Sequence, residues 1–261
     1  MHFREAGETG APVALLVHGY PNSSYMWTDV LPAVAAAGYR GVAPDLPGYG
    51  DSELSGAAGT WTEHVAAVDA FVDEHDLAPV ALIVHDWGGL IGLRWACEHP
   101  EKVSALLISD TGFFPDGKWH GMATAMRAEG QGETLMDNMN RETLSMVLKS
   151  ASPKVTDEAV DEYFKAFATP ERRAAQLALY RSGDFEELRQ YDGALAAMNV
   201  PTKILWGEGD EFAPVASAHR FLKEIPHAEL VILPNAGHFI GEDAPERVAQ
   251  EVGEFLTACH H

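Results

Sequence analysis

An aspartate stands where a strand-like apolar run turns into a helix-like segment. The run 80–84 is followed by His85-Asp86-Trp87-Gly88-Gly89 and then by apolar residues at helical spacing. A strand, a sharp turn and a helix together are typical of a nucleophile elbow, in which the central residue is exposed at the top of a sheet. The usual pattern is Gly-x-Ser-x-Gly, whereas here His85 replaces the first glycine and Asp86 occupies the nucleophile position.

An aspartate in this position differs from a serine in the reaction that it can start. Serine attacks carbonyl carbon and needs a histidine to remove its proton. A carboxylate, with a reference pKa of about 3.9, is already ionised at neutral pH. It therefore needs no base and is suited to displacing a leaving group at saturated carbon, which would leave a covalent alkyl ester on Asp86. The alternative role for Asp86 is to cap the helix that follows it.

Apolar runs alternate with helix-like segments over most of the chain. Strands are predicted at 13–18, 41–44, 80–85, 103–109, 202–206 and 230–233, and helices at 26–37, 62–75 with Thr62 as N-cap, 214–225 and from 244 onwards. Continuous apolar strands alternating with helices predict an α/β fold with a mostly parallel, doubly wound sheet. Sites in such sheets lie at the carboxyl ends of strands, where His18, Asp45, Asp86 and Asp110 stand.

The alternation stops after the strand that is predicted to end before Asp110. Residues 112–199 have helical spacing, and strands return at 202. We therefore predict a core domain of residues 1–111 and 200–259 with an inserted helical cap domain of residues 112–199. An insertion at this point would cover the strand ends as a lid does.

Composition narrows the class of protein. The chain has 261 residues, of which 46% are hydrophobic, and a formal net charge of -21. The charge argues against binding to nucleic acid or to anionic membranes. Cys97 and Cys259 lack metal or disulfide spacing, and no signal peptide or membrane-spanning run is apparent. We expect a cytoplasmic protein, monomeric or homodimeric, without metal or organic cofactor.

The chain resembles α/β-hydrolases over nearly its whole length, from Leu15 to Leu256. The resemblance rests on five separated motifs in the right order, namely His18-Gly19-Tyr20-Pro21, Asp45-Leu46-Pro47-Gly48-Tyr49-Gly50-Asp51-Ser52, the elbow, Trp206-Gly207-Glu208-Gly209-Asp210 and Ala236-Gly237-His238. One motif alone would be weak evidence, but five in register are specific. The N-terminus departs from the family, because it leaves room for one leading strand rather than two.

The resemblance implies a catalytic set in the chain order nucleophile, acid, histidine. Asp86 would be the nucleophile, and His238 would activate the water that hydrolyses its ester. Asp210 would orient His238 and stabilise its imidazolium. Asp110, which also ends a strand, is the alternative acid. Without the resemblance, His238 could be a core histidine and Asp210 a turn residue.

The resemblance also implies which groups surround the nucleophile. The backbone N–H groups of Trp87 and Tyr20 would form the oxyanion hole during ester hydrolysis. We expect the substrate pocket to be lined by Trp119, Phe113, Phe239 and Tyr20.

Two families resemble this chain in the elbow His-Asp-Trp-Gly-Gly: epoxide hydrolases and haloalkane dehalogenases. They differ in how the leaving group is stabilised. An epoxide oxygen stays attached to the substrate and must be protonated, so a lid tyrosine donates its O–H. A halide leaves as an anion and needs weak donors, such as two tryptophans or a tryptophan and an asparagine. The residues of the cap therefore decide between a small apolar epoxide and a haloalkane as substrate.

The sequence favours an epoxide hydrolase, which adds water to an epoxide to form a vicinal diol. Tyr20 is an aromatic residue in His-Gly-x-Pro, and Leu177-Ala178-Leu179-Tyr180-Arg181 resembles the segment that carries one acid tyrosine. The alternative is a haloalkane dehalogenase, which forms an alcohol and a halide. Ser23-Ser24-Tyr25-Met26-Trp27 resembles that family, and Trp119 could contact a halide. Tyr180 could also be an ordinary core residue.

Two further alternatives have less support. A haloacetate dehalogenase would need an arginine directly after the nucleophile to hold the substrate carboxylate, and Trp87 stands there instead. A hydrolase-fold ligand receptor without catalysis often loses part of the catalytic set, whereas this chain retains all three residues.

Overall fold

The apolar runs form a seven-stranded sheet in the computed structural model, which describes residues 1–54 and 56–259. The strands are β1 (Phe3–Ala6), β2 (Val13–Val17), β3 (Arg40–Pro44), β4 (Val80–His85), β5 (Val103–Ser109), β6 (Thr202–Gly207) and β7 (Glu229–Leu233). Their order across the sheet is β1-β3-β2-β4-β5-β6-β7. β1 runs antiparallel to β3, and the other neighbours are parallel. The predicted fold class and the single leading strand are confirmed.

Helices cover both faces of this sheet. They are α1 (Leu31–Ala36), α2 (Trp61–Glu74), α3 (Trp87–Glu98), α4 (Gly121–Arg127), α5 (Gln131–Asp137), α6 (Arg141–Ala151), α7 (Asp157–Phe164), α8 (Pro170–Arg181), α9 (Ala194–Ala197), α10 (Ala216–Glu224), α11 (Ile240–Asp243) and α12 (Pro245–Cys259), with short 3-10 helices at Ser24–Trp27, Pro100–Lys102, Lys165–Phe167 and Phe185–Tyr191. Among the described residues, no helix is long and apolar enough to cross a bilayer.

The centre of the sheet is its most buried part. Every residue of β4 is buried, and β4 pairs in parallel with β2 on one side and β5 on the other. In the register of these strands Val84 lies between Val17 and Ile108. The residue that follows β4 therefore emerges at the middle of the carboxyl edge, where parallel sheets hold their sites.

Two predicted helix boundaries are wrong for local reasons. α2 begins at Trp61 with Thr60 as N-cap, rather than with Thr62, because Thr60 and Glu63 form a capping box. The predicted helix 26–37 is divided into the 3-10 helix Ser24–Trp27 and α1, whose first turn contains Pro32. Proline is tolerated in the first turn of a helix but not in its interior, so α1 has to begin there.

Residues 112–199, here called the cap segment, connect β5 to β6. They contain α4 to α9 and two 3-10 helices, and the structure places no strand within them. That this segment is a separate domain with these limits stays a prediction, which its helical composition supports.

Candidate active site

Asp86 follows the last residue of β4 and precedes the first residue of α3. Its backbone has φ 51° and ψ -123°, a combination that non-glycine residues rarely adopt. The carbonyl oxygen of Asp86 accepts hydrogen bonds from Thr111 Oγ1 at 2.6 Å and from Gly89 N at 2.8 Å. Its carboxylate makes no capping bond to α3, which argues against the helix-cap role.

The strained turn packs closely against the loop after β2 through two glycines, Gly88 in the turn and Gly19 in that loop. A Cβ atom on Gly88 would lie 2.3 Å from the carbonyl oxygen of Val17, and one on Gly19 would lie 2.4 Å from Cβ of Asp86. Such distances are too short for any side chain. Close backbone approach therefore holds the aspartate against the loop after β2.

His238 lies in the loop after β7 and faces Asp86. Its Nδ1 is 2.8 Å from Oδ2 of Asp210, and its Nε2 is 3.7 Å from Oδ1 of Asp86. The other oxygen of Asp210 accepts hydrogen bonds from the backbone N–H groups of Phe212 and Ala213 at 2.8 and 2.9 Å. The three residues expected as a catalytic set thus form one connected line, as an acid–histidine–nucleophile system requires.

Asp110, the alternative acid, is buried at the end of β5, and its side chain contacts that of Asp210. Its Oδ1 accepts a hydrogen bond from Gly207 N at 2.8 Å. Asp210, rather than Asp110, makes the close contact with His238 Nδ1.

The charge state of His238 depends on its carboxylate neighbours. Burial lowers the pKa of His238, but the hydrogen bonds and negative charges of Asp210 and Asp86 outweigh burial and raise it well above 6.5. With Asp86 ionised, the imidazolium form of His238 is therefore the stable one at neutral pH.

Two cavities reach the Asp86 carboxylate from different sides. One, of about 290 Å³, is lined by Trp87, Trp119 and Thr111. The other, of about 40 Å³, has a mainly apolar wall formed by Met122, Met139, Leu144, Val147, Leu148 and Ala151 of the cap segment. Asp86, His120, Tyr180, Phe212 and His238 line both cavities. A larger cleft of about 660 Å³ lies between Tyr25, Tyr163 and Arg247 and contains none of the catalytic set.

Aromatic rings form a wall of the larger of these two cavities, near Asp86. Trp119 stacks on Trp87 with ring centroids 5.8 Å apart, and Tyr180 makes edge contacts with Trp87 at 5.1 Å and with Tyr20 at 5.2 Å. Nε1 of Trp119 is buried and has no hydrogen-bond acceptor in the part of the chain that the structure describes. A buried N–H without an acceptor is costly, so this N–H is a candidate donor to an acceptor atom of a ligand.

Tyr180 carries the second polar group of this wall. Its side chain is 2% exposed. Burial raises the pKa of its hydroxyl well above the usual value, and the charge of Asp86 acts in the same direction, whereas a hydrogen bond with Trp87 lowers it. The hydroxyl is therefore protonated at neutral pH and is available as a donor.

Three of the four residues predicted to line the substrate pocket line a cavity that reaches Asp86. Tyr20 and Phe239 line the smaller cavity and Trp119 lines the larger one. Phe113 does not line either cavity and stacks on Tyr191 instead, at 6.0 Å. The next residue, Phe114, faces the larger cavity, because consecutive side chains in this non-helical segment point to different sides.

Sequence reasoning missed Phe212 and gave His120 no role. Phe212 packs edge-on against His120 at 5.1 Å and lies beside His238, also at 5.1 Å. Its position two residues after Asp210, in a strand-end loop, is a signal that could have identified it. For His120 no sequence signal was available, since its place depends on how the cap segment folds over the sheet.

The expected oxyanion groups lie on either side of Asp86. Trp87 is the first residue of α3, so its N–H has no partner within the helix. Tyr20 follows Gly19, whose backbone is in contact with the Asp86 side chain. This arrangement supports the predicted oxyanion hole.

A possible metal-ligand group lies away from this site. Ligand atoms of His2, Asp45 and Asp51 are within 4.8 Å of one another. However, Nζ of Lys165 already contacts Asp51 at 3.0 Å, and Asp45 accepts hydrogen bonds from the backbone of Ser24 and Asp51. These partners account for the group as a structural ion-pair network.

Comparisons with known proteins show what this chain is similar to. A family model described as alpha/beta hydrolase fold matches residues 12–245. A haloalkane dehalogenase of Bradyrhizobium diazoefficiens is 28% identical, over 98% of this chain and 91% of the relative. The crystal structure of haloalkane dehalogenase DbeA from Bradyrhizobium elkani has a TM-score of 0.85 at 26% identity, covering 99% of this chain and 94% of that one. Epoxide hydrolase VrEH1 from Vigna radiata has a TM-score of 0.79 at 26% identity, covering 98% and 94%.

Proposed function

We propose that this chain is a haloalkane dehalogenase, which converts a haloalkane and water into an alcohol and a halide. The chain is a hydrolase that belongs to the alpha/beta hydrolase fold family. The choice of a haloalkane dehalogenase reverses the order of preference that the sequence suggested. The relatives named haloalkane dehalogenase support the change. The observation that carries the proposal is the buried Nε1 of Trp119, which lacks an acceptor in the described part of the chain.

The first step uses the unprotonated carboxylate. Asp86 attacks the carbon that bears the halogen, and the carbon–halogen electron pair leaves with the halide. The departing anion needs N–H donors in a site shielded from water, because electrostatic stabilisation is strongest there. Trp119 Nε1 supplies one such donor, and Trp87, stacked on it, lines the same cavity.

The second step hydrolyses the ester formed on Asp86. Esterification removes the negative charge of Asp86, one of the causes that raise the pKa of His238. The pKa of His238 then falls, and its neutral form, which can accept a proton from water, becomes accessible. Hydroxide attacks the Asp86 carbonyl carbon, the N–H groups of Tyr20 and Trp87 stabilise the oxyanion, and the alcohol leaves. One proton is released for each halide.

The apolar cavity supports an uncharged substrate. Methionine and aliphatic side chains of α4, of α6 and of the loop before α6 form its wall. An alkyl chain fits such a wall, whereas a carboxylate would lose its hydration beside Asp86, and the imidazolium of His238 is already paired with Asp86 and Asp210. This favours a haloalkane over a haloacid.

An epoxide hydrolase is the second candidate, because of Tyr180. Its buried, protonated hydroxyl lies close enough to Asp86 for the carboxylate to perturb its pKa. Such a group could protonate an epoxide oxygen while Asp86 opens the ring.

Three substrates separate the candidates. The purified protein is incubated with a bromoalkane, an epoxide and an aryl ester, and halide, diol and phenol are measured. Bromide release with little diol is the expected result. Diol formation without halide release would favour the epoxide hydrolase, and ester cleavage alone would contradict both.

A further inference from the structure

The acid side of the catalytic line holds two carboxyl groups rather than one. Asp110 is 0% exposed, and the structure includes a side-chain contact between it and Asp210. Oδ1 of Asp110 accepts a hydrogen bond from Gly207 N, but Oδ2 is buried without a donor among the described residues. A buried carboxylate oxygen in this condition is costly, so it needs an explanation.

The groups that face Asp110 come from three strand ends. They are His85 at the end of β4, Asp210 after β6 and His238 after β7. Nδ1 of His85 is 3.9 Å from Oδ2 of Asp110, beyond hydrogen-bond distance, and lies closer to Ser109 Oγ, at 3.2 Å. Burial lowers the pKa of His85 well below its usual value. His85 is therefore neutral and does not compensate a negative charge on Asp110.

His238 does not compensate that charge either. Its Nδ1 is bound to Asp210, and its Nε2 faces Asp86. If Asp110 and Asp210 were both ionised, these two buried carboxylates in contact would repel each other. The single positive charge of His238 would then face three negative charges, those of Asp86, Asp110 and Asp210. A proton between the two acids would remove the repulsion and also supply the missing donor.

We propose that Asp110 holds a proton and donates it in a hydrogen bond to Asp210, so that a carboxylic acid–carboxylate pair with one negative charge supports His238. This inference rests on the proposed catalytic roles of Asp210 and His238. Asp110 is then a positioning residue that acts through Asp210 and touches no substrate.

The direction of the pKa shift agrees with the geometry. Burial raises the pKa of Asp110 well above its usual value and the charge of Asp210 raises it further, against the smaller opposing effects of His238 and the Gly207 N–H. In the pair, Asp210 keeps the negative charge because its oxygens accept from His238 and from the backbone of Phe212 and Ala213.

Infrared spectroscopy tests the proton directly and needs no turnover. The wild-type protein at neutral pH should show the C=O stretching band of a protonated carboxylic acid, which shifts in D₂O and is lost in Asp110→Asn. Asp45→Asn is the matched control: Asp45 is also buried, but although burial raises its pKa, His18 and backbone donors lower it below the usual value. The control should keep the band. Identical spectra for the wild-type protein and Asp110→Asn would overturn the proposal.

The pH dependence of ester hydrolysis tests the consequence for His238. If Asp110 is neutral, Asp110→Asn exchanges one neutral donor for another, and the limb that reports His238 stays where it is in the wild-type protein, whatever the absolute rate. If Asp110 is ionised, the substitution removes a negative charge beside His238 and lowers that limb by about one pH unit or more. The latter result contradicts the proposal.

A further variant keeps the test valid if Asp110→Asn does not fold. In Asp210→Asn the repelling charge is gone but the burial of Asp110 remains, so the infrared band should be lost at a lower pH than in the wild-type protein. A band with the same pH dependence in Asp210→Asn and in the wild-type protein would count against a shared proton. Because the spectra require no substrate, they decide this inference even if haloalkanes, epoxides and esters are all left unchanged, which would refute the proposed function alone.

Discussion

The carboxyl edge of the sheet and the aromatic wall of the cap segment face the same cavities but are held differently. At the sheet edge, Asp86 and Asp210 are fixed by hydrogen bonds from neighbouring backbone or side-chain groups. In the wall, Trp119 and Tyr180 are fixed mainly by ring contacts. Hydrogen bonds set direction to within narrow limits, whereas ring packing tolerates small displacements.

This difference separates two tasks. In the proposed mechanism the sheet edge positions a nucleophile, a base and an acid, and that arrangement would serve any substrate with a displaceable group at saturated carbon. The wall presents an indole N–H from Trp119 and a hydroxyl from Tyr180, and these suit different leaving groups. We therefore expect changes at the sheet edge to abolish turnover and changes in the wall to alter substrate preference.

The largest effect should come from Asp86→Asn. The amide cannot act as the nucleophile, so turnover should fall by roughly 10⁴-fold. Steady-state rates measure the loss, and a thermal melt shows whether the fold is intact. Asp51→Asn, an exposed carboxylate paired with Lys165, is the control and should keep its activity. If Asp86→Asn retained its turnover, Asp86 would not be the nucleophile.

His238→Gln should stop the reaction after the first step. Glutamine cannot take a proton from water, so the ester on Asp86 should accumulate and be visible by mass spectrometry. The mass gain equals the alkyl group less one hydrogen for a haloalkane and the whole substrate for an epoxide. His120→Gln changes a histidine that lines the same cavities without contacting Asp210, and should accumulate no adduct. Continued turnover without an adduct in His238→Gln would contradict the two-step order.

Tyr180→Phe distinguishes the two leaving groups. Loss of the hydroxyl should slow any epoxide ring opening by about 10²-fold, the usual contribution of a general acid. Halide release should change much less. Tyr191→Phe, whose hydroxyl bonds Glu98 at the surface, serves as the control in single-turnover experiments. Equal slowing of both reactions would mean that Tyr180 shapes the wall rather than donating a proton.

The smallest effect is expected for Trp119→Phe. Loss of one N–H donor to the halide should slow halide release by about 10-fold, the value of one hydrogen bond to a charged group. Trp27→Phe is a close control, because Nε1 of Trp27 is also buried without a partner among the described residues, yet Trp27 does not line either cavity. Rapid-mixing measurements of bromide release compare the two. Equal rates of bromide release in Trp119→Phe and Trp27→Phe would mean that donors other than Trp119 bind the halide.

The sequence predicts the sheet edge better than the wall. The strands 80–85 and 103–109 were placed correctly, because continuous apolar runs with clear ends indicate buried parallel strands. Asp86, Asp210 and His238 follow such strands, so topology alone brings them together. The position of His120 and the direction of Phe113 depend on packing between the cap segment and the sheet. No local pattern encodes that packing, and both were missed or misplaced.

The glycines around Asp86 have a consequence for how this chain can diversify. Gly19 and Gly88 approach their neighbours so closely that any side chain at either position would collide with Asp86 or with the backbone of β2. Substitutions at the elbow are therefore not tolerated, whereas the aromatic residues of the cap segment can be substituted with small adjustments of their neighbours. A library built for laboratory evolution should leave 19 and 86–89 constant and randomise 119, 120 and 180 of the cap segment, together with 212 in the loop after β6. In that design, variants that accept a different leaving group can be selected while Asp86 and its close neighbours stay unchanged.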